Sequence, residues 1–413
     1  MDTLTVRGRG MIAPGKGLRW TLCSLLFLAT TLNYLDRQTL SVLAPRLQAE
    51  LHLDNLQLGY LFSAFYWSYT VGQFAAGLAM DRYSLRWLYG GGVVAWSLVS
   101  ALTGLSTGFA MLFGFRVLLG LMESGNWPGA LRIVSRVMPP AERALGNGLF
   151  TSGTSVGALV APALILGLAA WYGWRAAFVA VGALGLLWFA AWVPVSARIP
   201  FGEASARGVA PMTAWREILR LRSFWLAFVI TSLMNPCLYF FVNWTPSYLA
   251  QSYGIRDAAT LAKILTAVFL GLDLGYLLCG VMVLVLIRRG LTQASARRAV
   301  CVLATLLLTP AFLLAQRPET AVMIGALIVC NFACGVWIAM YLTLAQEVSE
   351  QHLSTAAGLL GGSGSLFGAL AMSGVGAVTA STSSYAIPFL AVPIAGAVAT
   401  WAAWRVTSNE RIA

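Results

Sequence analysis

Histidine and charge are what this sequence has least of. Its 413 residues include two histidines, His52 and His352, and only 10% of the chain is charged. Soluble domains carry roughly a quarter charged residues, so a water-soluble enzyme is excluded. Two histidines leave almost no room for a histidine-based metal site or a catalytic triad. Cysteine is sparse as well. Cys23, Cys237, Cys279, Cys301, Cys330 and Cys334 all fall inside apolar stretches, where they read as small buried hydrophobes and not as a disulfide framework. Cys330 and Cys334 are one helical turn apart, but no histidine or further cysteine accompanies them, so no metal and no cofactor are expected. Gly361-Gly362-Ser363-Gly364 lacks the Gly-Lys-Ser/Thr that completes a phosphate loop, and reads as a place of close helix packing.

What is abundant is apolar side chain, 59% of the residues, with a mean hydropathy of +0.76. Apolar runs begin near Leu18, Leu56, Trp87, Ala110, Ala144, Ala176, Ser223, Leu261, Val300, Ala321, Ser354 and Ala386. Each is long enough to cross a bilayer, which takes about 20 residues of helix. The pattern predicts an all-α membrane protein of twelve transmembrane helices. The first run follows Arg7, Arg9, Lys16 and Arg19, as in a signal peptide. It is too long for one, contains Asp36 and Arg37 and shows no small-residue cleavage site, so it reads as a retained helix.

Basic residues fix the expected orientation. The tail, Arg82, Arg86, Arg132, Arg136, Arg143, the 196–222 segment, Arg288, Arg289, Arg297, Arg298, Arg405 and Arg411 fall on one side; the other has only Arg46, Arg175, Arg256, Lys263 and Arg317. The positive-inside rule then puts both termini in the cytoplasm, in a bacterial inner membrane. The net charge of +12 is mostly this topology signal, and no water-exposed basic domain exists to bind nucleic acid.

The expected organisation is an N-terminal six-helix bundle over 1–195, a cytoplasmic linker over 196–222 and a C-terminal six-helix bundle over 223–413. Within the linker, Met212 to Arg220 suits a short amphipathic helix at the membrane surface, with Trp215 and Ile218 inward and arginines outward. The halves show weak internal similarity. Ser124-Gly125-Asn126-Trp127 aligns with Cys334-Gly335-Val336-Trp337, the segment from Gly153 to Leu159 with that from Gly364 to Leu370, and Pro45 with Pro246. That is the signature of parallel repeats about an axis along the membrane normal, with substrate binding between them near the midplane.

Five ionisable residues lie deep in apolar spans: Asp36 and Arg37 in the first, Arg116 and Glu123 in the fourth, Asp273 in the eighth. A central charge costs roughly 2.5 to 3.5 kcal/mol to insert, so these groups require partners or a wet cavity. Arg116 and Glu123 are two turns apart on one face. Two readings stand side by side. In one, Asp36–Arg116 and Arg37–Glu123 are ion pairs that lock helices together. In the other, a buried carboxylate next to an arginine changes protonation as an anionic ligand comes and goes, which is the physics of proton-coupled anion transport. Asp273 is either a second proton site or a carboxylate hydrogen-bonded to a neighbouring helix. Whatever the mechanism, arginine offers a fork to a carboxylate, while Tyr69, Thr154, Asn235, Tyr239 and Asn243 suit the hydroxyls of a polyhydroxylated acid. Some of these types have structural uses too. Trp171, Trp174, Trp244 and Tyr248 suit interfacial anchors, and Asn235 before Pro236 suits the cap of a helix break.

Asn33-Tyr34-Leu35-Asp36-Arg37 resembles a signature of the anion:cation symporter branch of the major facilitator superfamily. Gly77 to Arg86 resembles that superfamily's cytoplasmic Gly-x-x-x-Asp-Arg-x-x-x-Arg loop. Arg116 to Pro128, Glu142-Arg143-Ala144 and Phe150 to Ala158 look most like hexuronate transporters, and the resemblance covers essentially the whole chain. It implies the major facilitator fold, with Arg37 meeting the substrate carboxylate, Asp36 paired with Arg116 and Glu123 coupling protons to substrate. It further implies substrate contact by Tyr69, with Gln73 one turn on, and a polar contact at Thr154. The second half departs from the pattern at Asn235-Pro236, where many hexuronate carriers have Asp-Pro, and at Cys237-Leu238. Trp337, Ser363 and Ser365 are further candidates for ring and hydroxyl contacts.

Asp81, Arg82, Arg86, Glu142 and Arg143 lie at cytoplasmic helix ends and read as a gate between the halves, or as solvated topology charge. The expected function is import of a small organic anion, a hexuronate or related sugar acid, by proton symport through a monomer in the lipid bilayer. An aldonate, aldarate or aromatic acid is the alternative substrate. A proton-driven drug exporter is disfavoured, because Gly157 in the fifth span is followed by Ala158 where such exporters carry Gly-Pro. A sensor or scaffold would not need the central charges.

Overall fold

The computed structural model describes residues 15–82, 84–138, 143–199, 211–346 and 353–408. Every regular element among them is helical. The first three spans are Lys16–Leu51, Asn55–Arg82 and Leu85–Thr103. The fourth is in two pieces, Phe109–Glu123 and Asn126–Val137. The fifth and sixth share the run Arg143–Ala197. The seventh and eighth are Arg222–Tyr253 and Ala258–Arg288, and the ninth is Gln293–Leu306 continued by Ala311–Leu314. Thr320–Gln346, Leu353–Thr382 and Ala386–Ser408 complete the twelve. Among the described residues, seven helical runs meet the length and hydropathy of a bilayer crossing on composition alone, the fifth-and-sixth run counting once.

Local chemistry accounts for the interruptions. Gly173, at φ 82° and ψ 163°, separates the fifth and sixth spans with a backbone that glycine adopts without a Cβ penalty. Beyond it, Trp174 Nε1 donates to Glu50 Oε2 at 2.6 Å and Arg175 pairs with the other oxygen, fastening the turn to the end of the first span. The fourth span is interrupted immediately after Glu123, where Ser124 Oγ turns back to the Leu121 carbonyl at 2.7 Å.

The same packing recurs in both halves. The fifth span lies so close to the first that a Cβ on Gly153 would stand 2.5 Å from the Phe27 carbonyl. The eleventh lies on the seventh with Gly364 against the Asn235 amide and Gly368 against the Tyr239 ring. Second and fourth spans meet at Gly120, eighth and tenth at Gly275 and Gly335. A Cβ on Gly335 would be 2.1 Å from the Leu272 carbonyl, a backbone atom that cannot swing aside. Gly335→Val is therefore expected to lower the melting temperature of the detergent-purified protein by roughly 5 °C, through overpacking of about 1–3 kcal/mol; an unchanged melt would contradict this contact.

An even number of spans leaves both chain ends on one face, called here the terminal face. Beside it the helix Pro211–Arg220 buries Ile218 completely against Phe224, Ala227, Ala356 and Leu360, with Arg216 and Arg220 exposed. The Trp215 side chain lies outside the described residues. Of the four expected interfacial anchors, Trp171 is exposed, but Trp174, Trp244 and Tyr248 are buried. Trp244 packs edge-on to Phe62 of the other half at 5.5 Å, and Tyr248 donates to the Leu314 carbonyl at 3.1 Å. These rings serve packing between helices.

On the distal face the halves are latched by neutral amides. Asn55 Oδ1 accepts from Gln48 Nε2 and from Gln251 Nε2, both at 2.8 Å, and the Tyr385 hydroxyl donates to Gln251 Oε1 at 3.0 Å. Beneath the latch, Ser41 Oγ lies 3.3 Å from the Val242 carbonyl, Asn243 donates to the Tyr66 hydroxyl at 3.1 Å, and the Tyr66 and Tyr239 rings stack at 4.2 Å.

Candidate functional site

At mid-depth, Arg37 Nε donates to Glu123 Oε2 at 2.8 Å. The two differ in exposure: Glu123 is 0% exposed and Arg37 21%. Helical spacing builds the rest of the arginine's surroundings. Tyr34 lies one turn before it on the first span, and Phe65 and Tyr69 are one turn apart on the second. The guanidinium carbon sits 4.4 Å from the Tyr69 ring centre, 5.0 Å from Phe65 and 5.4 Å from Tyr34, within cation–π range of all three. Glu123 Oε1 and Asn33 Nδ2 are buried with no hydrogen-bond partner. Asn33 is itself a hydrogen-bonding neighbour of Glu123, so the leftover donor and acceptor stand beside one another at the ion pair.

The pairing of Asp36 with Arg116 does not form. The Asp36 carboxylate is buried with Oδ1 unpartnered, and the favourable groups near it are the Ser100 hydroxyl and, more distantly, Arg116. The Arg116 guanidinium instead lies 5.8 Å from the Phe65 ring centre, in the field of Glu123, Tyr66 and Asp36 without a direct bond to any of them. Of the five central charges Arg37 is thus the one partly exposed at mid-depth, with Glu123 sealed behind it.

The facing wall comes from the C-terminal half. Tyr239, Tyr276 and Tyr341 are partly exposed at mid-depth, and Tyr239 and Tyr341 have Ser365 and Asn235 as hydrogen-bonding neighbours. Asn235 does not cap a break: the seventh span runs on through Pro236, and the Asn235 amide donates to the Thr231 carbonyl at 3.1 Å. Asn243 is committed to Tyr66 and to the Tyr239 carbonyl at 2.7 Å. Asp273 lies at the contact of the eighth and fifth spans beside the Ser155 hydroxyl, within electrostatic reach of Tyr34. Thr154 and Gln73 are partly exposed, Thr154 donating to the Thr151 carbonyl at 2.8 Å. Ser363 is buried and bonded to the Leu360 carbonyl at 2.7 Å. Trp337 is a correction. It is wholly buried with its Nε1 unpartnered, so it presents no ring surface to a ligand.

Residues 26–372 match the family description of the Major Facilitator Superfamily. The chain belongs to that superfamily. It is a multi-pass membrane transporter and not an enzyme. It is 29% identical over 415 residues to the hexuronate transporter of Escherichia coli strain K12, covering 96% of this chain and 95% of that protein. It is 28% identical over 399 residues to the probable galactarate/D-glucarate transporter of Bacillus subtilis, covering 86% of this chain and 83% of that one. Among solved structures, a bacterial homolog of the human lysosomal transporter Spinster, in an inward-facing and unoccupied conformation, shares the fold with a TM-score of 0.79. Its identity is 20%, over 96% of this chain and 99% of that one.

Within this major facilitator carrier the expected inner gate is only partly described, since the side chains of Asp81, Arg82, Glu142 and Arg143 lie outside the described residues. Arg86 is held inside its own half. Its Nε donates to Ser196 Oγ at 3.1 Å and its Nη2 to the Val193 carbonyl at 3.2 Å, tying the third span to the end of the sixth. Among the described residues its hydrogen bonds all stay within the N-terminal half. Tyr34, Tyr66, Tyr276 and Tyr341 were not anticipated as site residues. Helical spacing carries the signal for each: Tyr34 is one turn from Arg37, Tyr66 from Tyr69, Tyr276 from Asp273 and Tyr341 from Trp337. A separate cavity of about 620 Å³ lies at the distal face, lined by Arg46, Asp54, Gln251 and Arg256 among others. It sits over the amide latch and away from the ion pair.

Proposed function

We propose that this protein imports a sugar acid, of the hexuronate kind or a close relative, together with protons by alternating access. The observation that carries this reading is the Arg37–Glu123 pair, with the arginine exposed to the cleft and the glutamate sealed behind it. A substrate carboxylate and Glu123 compete for one guanidinium. Protonation of Glu123 dissolves the pair and frees the fork of Arg37 for the incoming anion, and loss of the proton restores the pair and expels the anion. In this reading Tyr69, Thr154, Asn235, Tyr239 and Ser365 supply the partners for substrate hydroxyls, with Asp273 and Asp36 as the other buried carboxylates. The terminal face, rich in arginine, is the cytoplasmic one. The N- and C-terminal bundles rock about this site on either side of the 196–222 linker. A membrane potential of 100 mV contributes about 2.3 kcal/mol per net charge moved, which makes uptake concentrative if a second proton accompanies the acid.

The test is uptake by proteoliposomes. Glucuronate or galacturonate is expected to accumulate when the outside is acidic, and a protonophore should abolish the accumulation. Accumulation that ignores the protonophore would sink the proton coupling; failure of every sugar acid tested would sink the substrate class.

The amide latch closes the periplasmic side in this reading. Gln251→Ala removes its bonds to Gln48, Asn55 and Tyr385, each contributing about 0.5–1.5 kcal/mol before rehydration is discounted. The expected result is at least about fivefold faster labelling of Ser41→Cys by an impermeant maleimide from the periplasmic side, in a background lacking the native cysteines. An unchanged rate would mean the latch does not hold the halves shut.

A further inference from the structure

We propose that the carrier selects acids with a single carboxylate and rejects those charged at both ends, the uncharged end of the substrate lying against the tyrosines of the C-terminal half. The proposal rests on the sugar-acid reading above and adds to it which acids are taken. Identity does not decide the matter, because a hexuronate carrier and a probable galactarate/D-glucarate carrier are matched at 29% and 28%.

Charge placement does decide it. On the N-terminal side of the cleft the cation within reach is Arg37, since Arg116 is buried behind Phe65. Across the cleft the wall consists of Tyr239, Tyr276 and Tyr341, backed by Asn235 and Ser365, all neutral. The described basic residues of that half, from Arg222 through Arg256, Lys263, Arg288 and Arg317 to Arg405, stand at the ends of spans and not at mid-depth. The ionisable carboxyl at mid-depth there is Asp273, nine-tenths buried and turned toward the other half at Ser155.

An acid held by one carboxylate at Arg37 therefore presents its far end to phenol and amide groups that satisfy hydroxyls. A second carboxylate placed there would lose its water, find no cation and face an acidic side chain. Specificity of this kind comes from repulsion of the wrong ligand as much as from attraction of the right one.

Galactonate and galactarate differ only in whether the far carbon is a hydroxymethyl group or a carboxylate, and gluconate and glucarate form a second such pair. Affinities of the purified full-length protein at pH 7 are expected to favour the monoacid of a pair by at least about 100-fold. Asp273→Asn is expected to shrink that ratio by about tenfold, by removing the repulsion. Equal or tighter binding of the diacid overturns this proposal while leaving sugar-acid transport standing. A ratio unmoved by Asp273→Asn removes the assigned source of the discrimination and overturns the proposal as argued. Absence of binding by any of the four acids overturns it together with the function on which it rests.

Discussion

Alanine at position 37 is expected to weaken binding of the transported acid by at least about 100-fold and to end its uptake. Arg37 is the cation that meets the cleft, and a charge-assisted pair in a desolvated site is typically worth about 2–5 kcal/mol when one partner is truncated. The loss has two parts. The acid loses its fork, and Glu123 is left fully buried without the bond it makes at 2.8 Å. A purely structural Arg37 would show a different pattern, with lower thermal stability but an acid affinity that returns when the protein is stabilised. Competition binding separates the cases: a neutral sugar analogue should retain its weak binding in Arg37→Ala while the acid loses its advantage over it. Lysine at this position is expected to recover only part of the affinity, because an ammonium lacks the planar fork and stacks less well on Tyr69 and Phe65. Acid affinity retained in Arg37→Ala would refute the clasp.

Glutamine at position 123 should abolish accumulation driven by a pH gradient while leaving exchange of labelled for unlabelled acid measurable. The amide keeps the shape of the glutamic acid and fixes it permanently neutral, so Arg37 is always free for substrate and no proton need travel. Transport then becomes downhill only. Binding of the acid should be as tight as in the native protein or tighter, and independent of pH over the range where Glu123 would have titrated. The direction follows from linkage. In the native protein the acid competes with ionised Glu123, so its affinity falls as pH rises; with glutamine the competitor is gone. The combination of lost accumulation with intact exchange is specific, since a misfolded carrier would lose both. Accumulation that persists in Glu123→Gln would remove this residue from the coupling.

Much of the architecture is legible in composition. Twelve long apolar runs, and charges too costly to leave at bilayer depth without a reason, point to a bundle with a polar centre. Arg37 and Glu123 are visible as anomalies for the same reason. Of the two pairings the sequence suggests, Arg37–Glu123 forms and the other does not, because a span that is apolar on nearly every face carries little signal for how it is rotated against its neighbours. Asp36 and Arg116 were expected to pair and do not, while Ser100 and Phe65 take up the neighbouring places. Trp337, a candidate ring for the substrate, is instead fully buried in the helix packing. Tyr69 and Tyr239 are legible as candidates, whereas Tyr34, Tyr66, Tyr276 and Tyr341 are not, although each lies a helical turn from a residue that does stand out. The distal latch is the hardest to foresee. Its amides lie on three different spans, and nothing in the local sequence of Gln48, Asn55 or Gln251 says that they meet.

The most direct test of the exchange between Glu123 and substrate for Arg37 is the number of protons taken up when the acid binds. Calorimetric titrations in buffers of different ionisation enthalpy, at a pH high enough that both the free sugar acid and Glu123 of the unliganded protein are ionised, read that number without any transport step. Displacement of Glu123 from Arg37 by the substrate carboxylate leaves a buried carboxylate to be neutralised, so the native protein should take up about one proton per acid bound and Glu123→Gln none. Binding heats that are the same in every buffer for the native protein, or an equal proton uptake by the variant, would contradict the account.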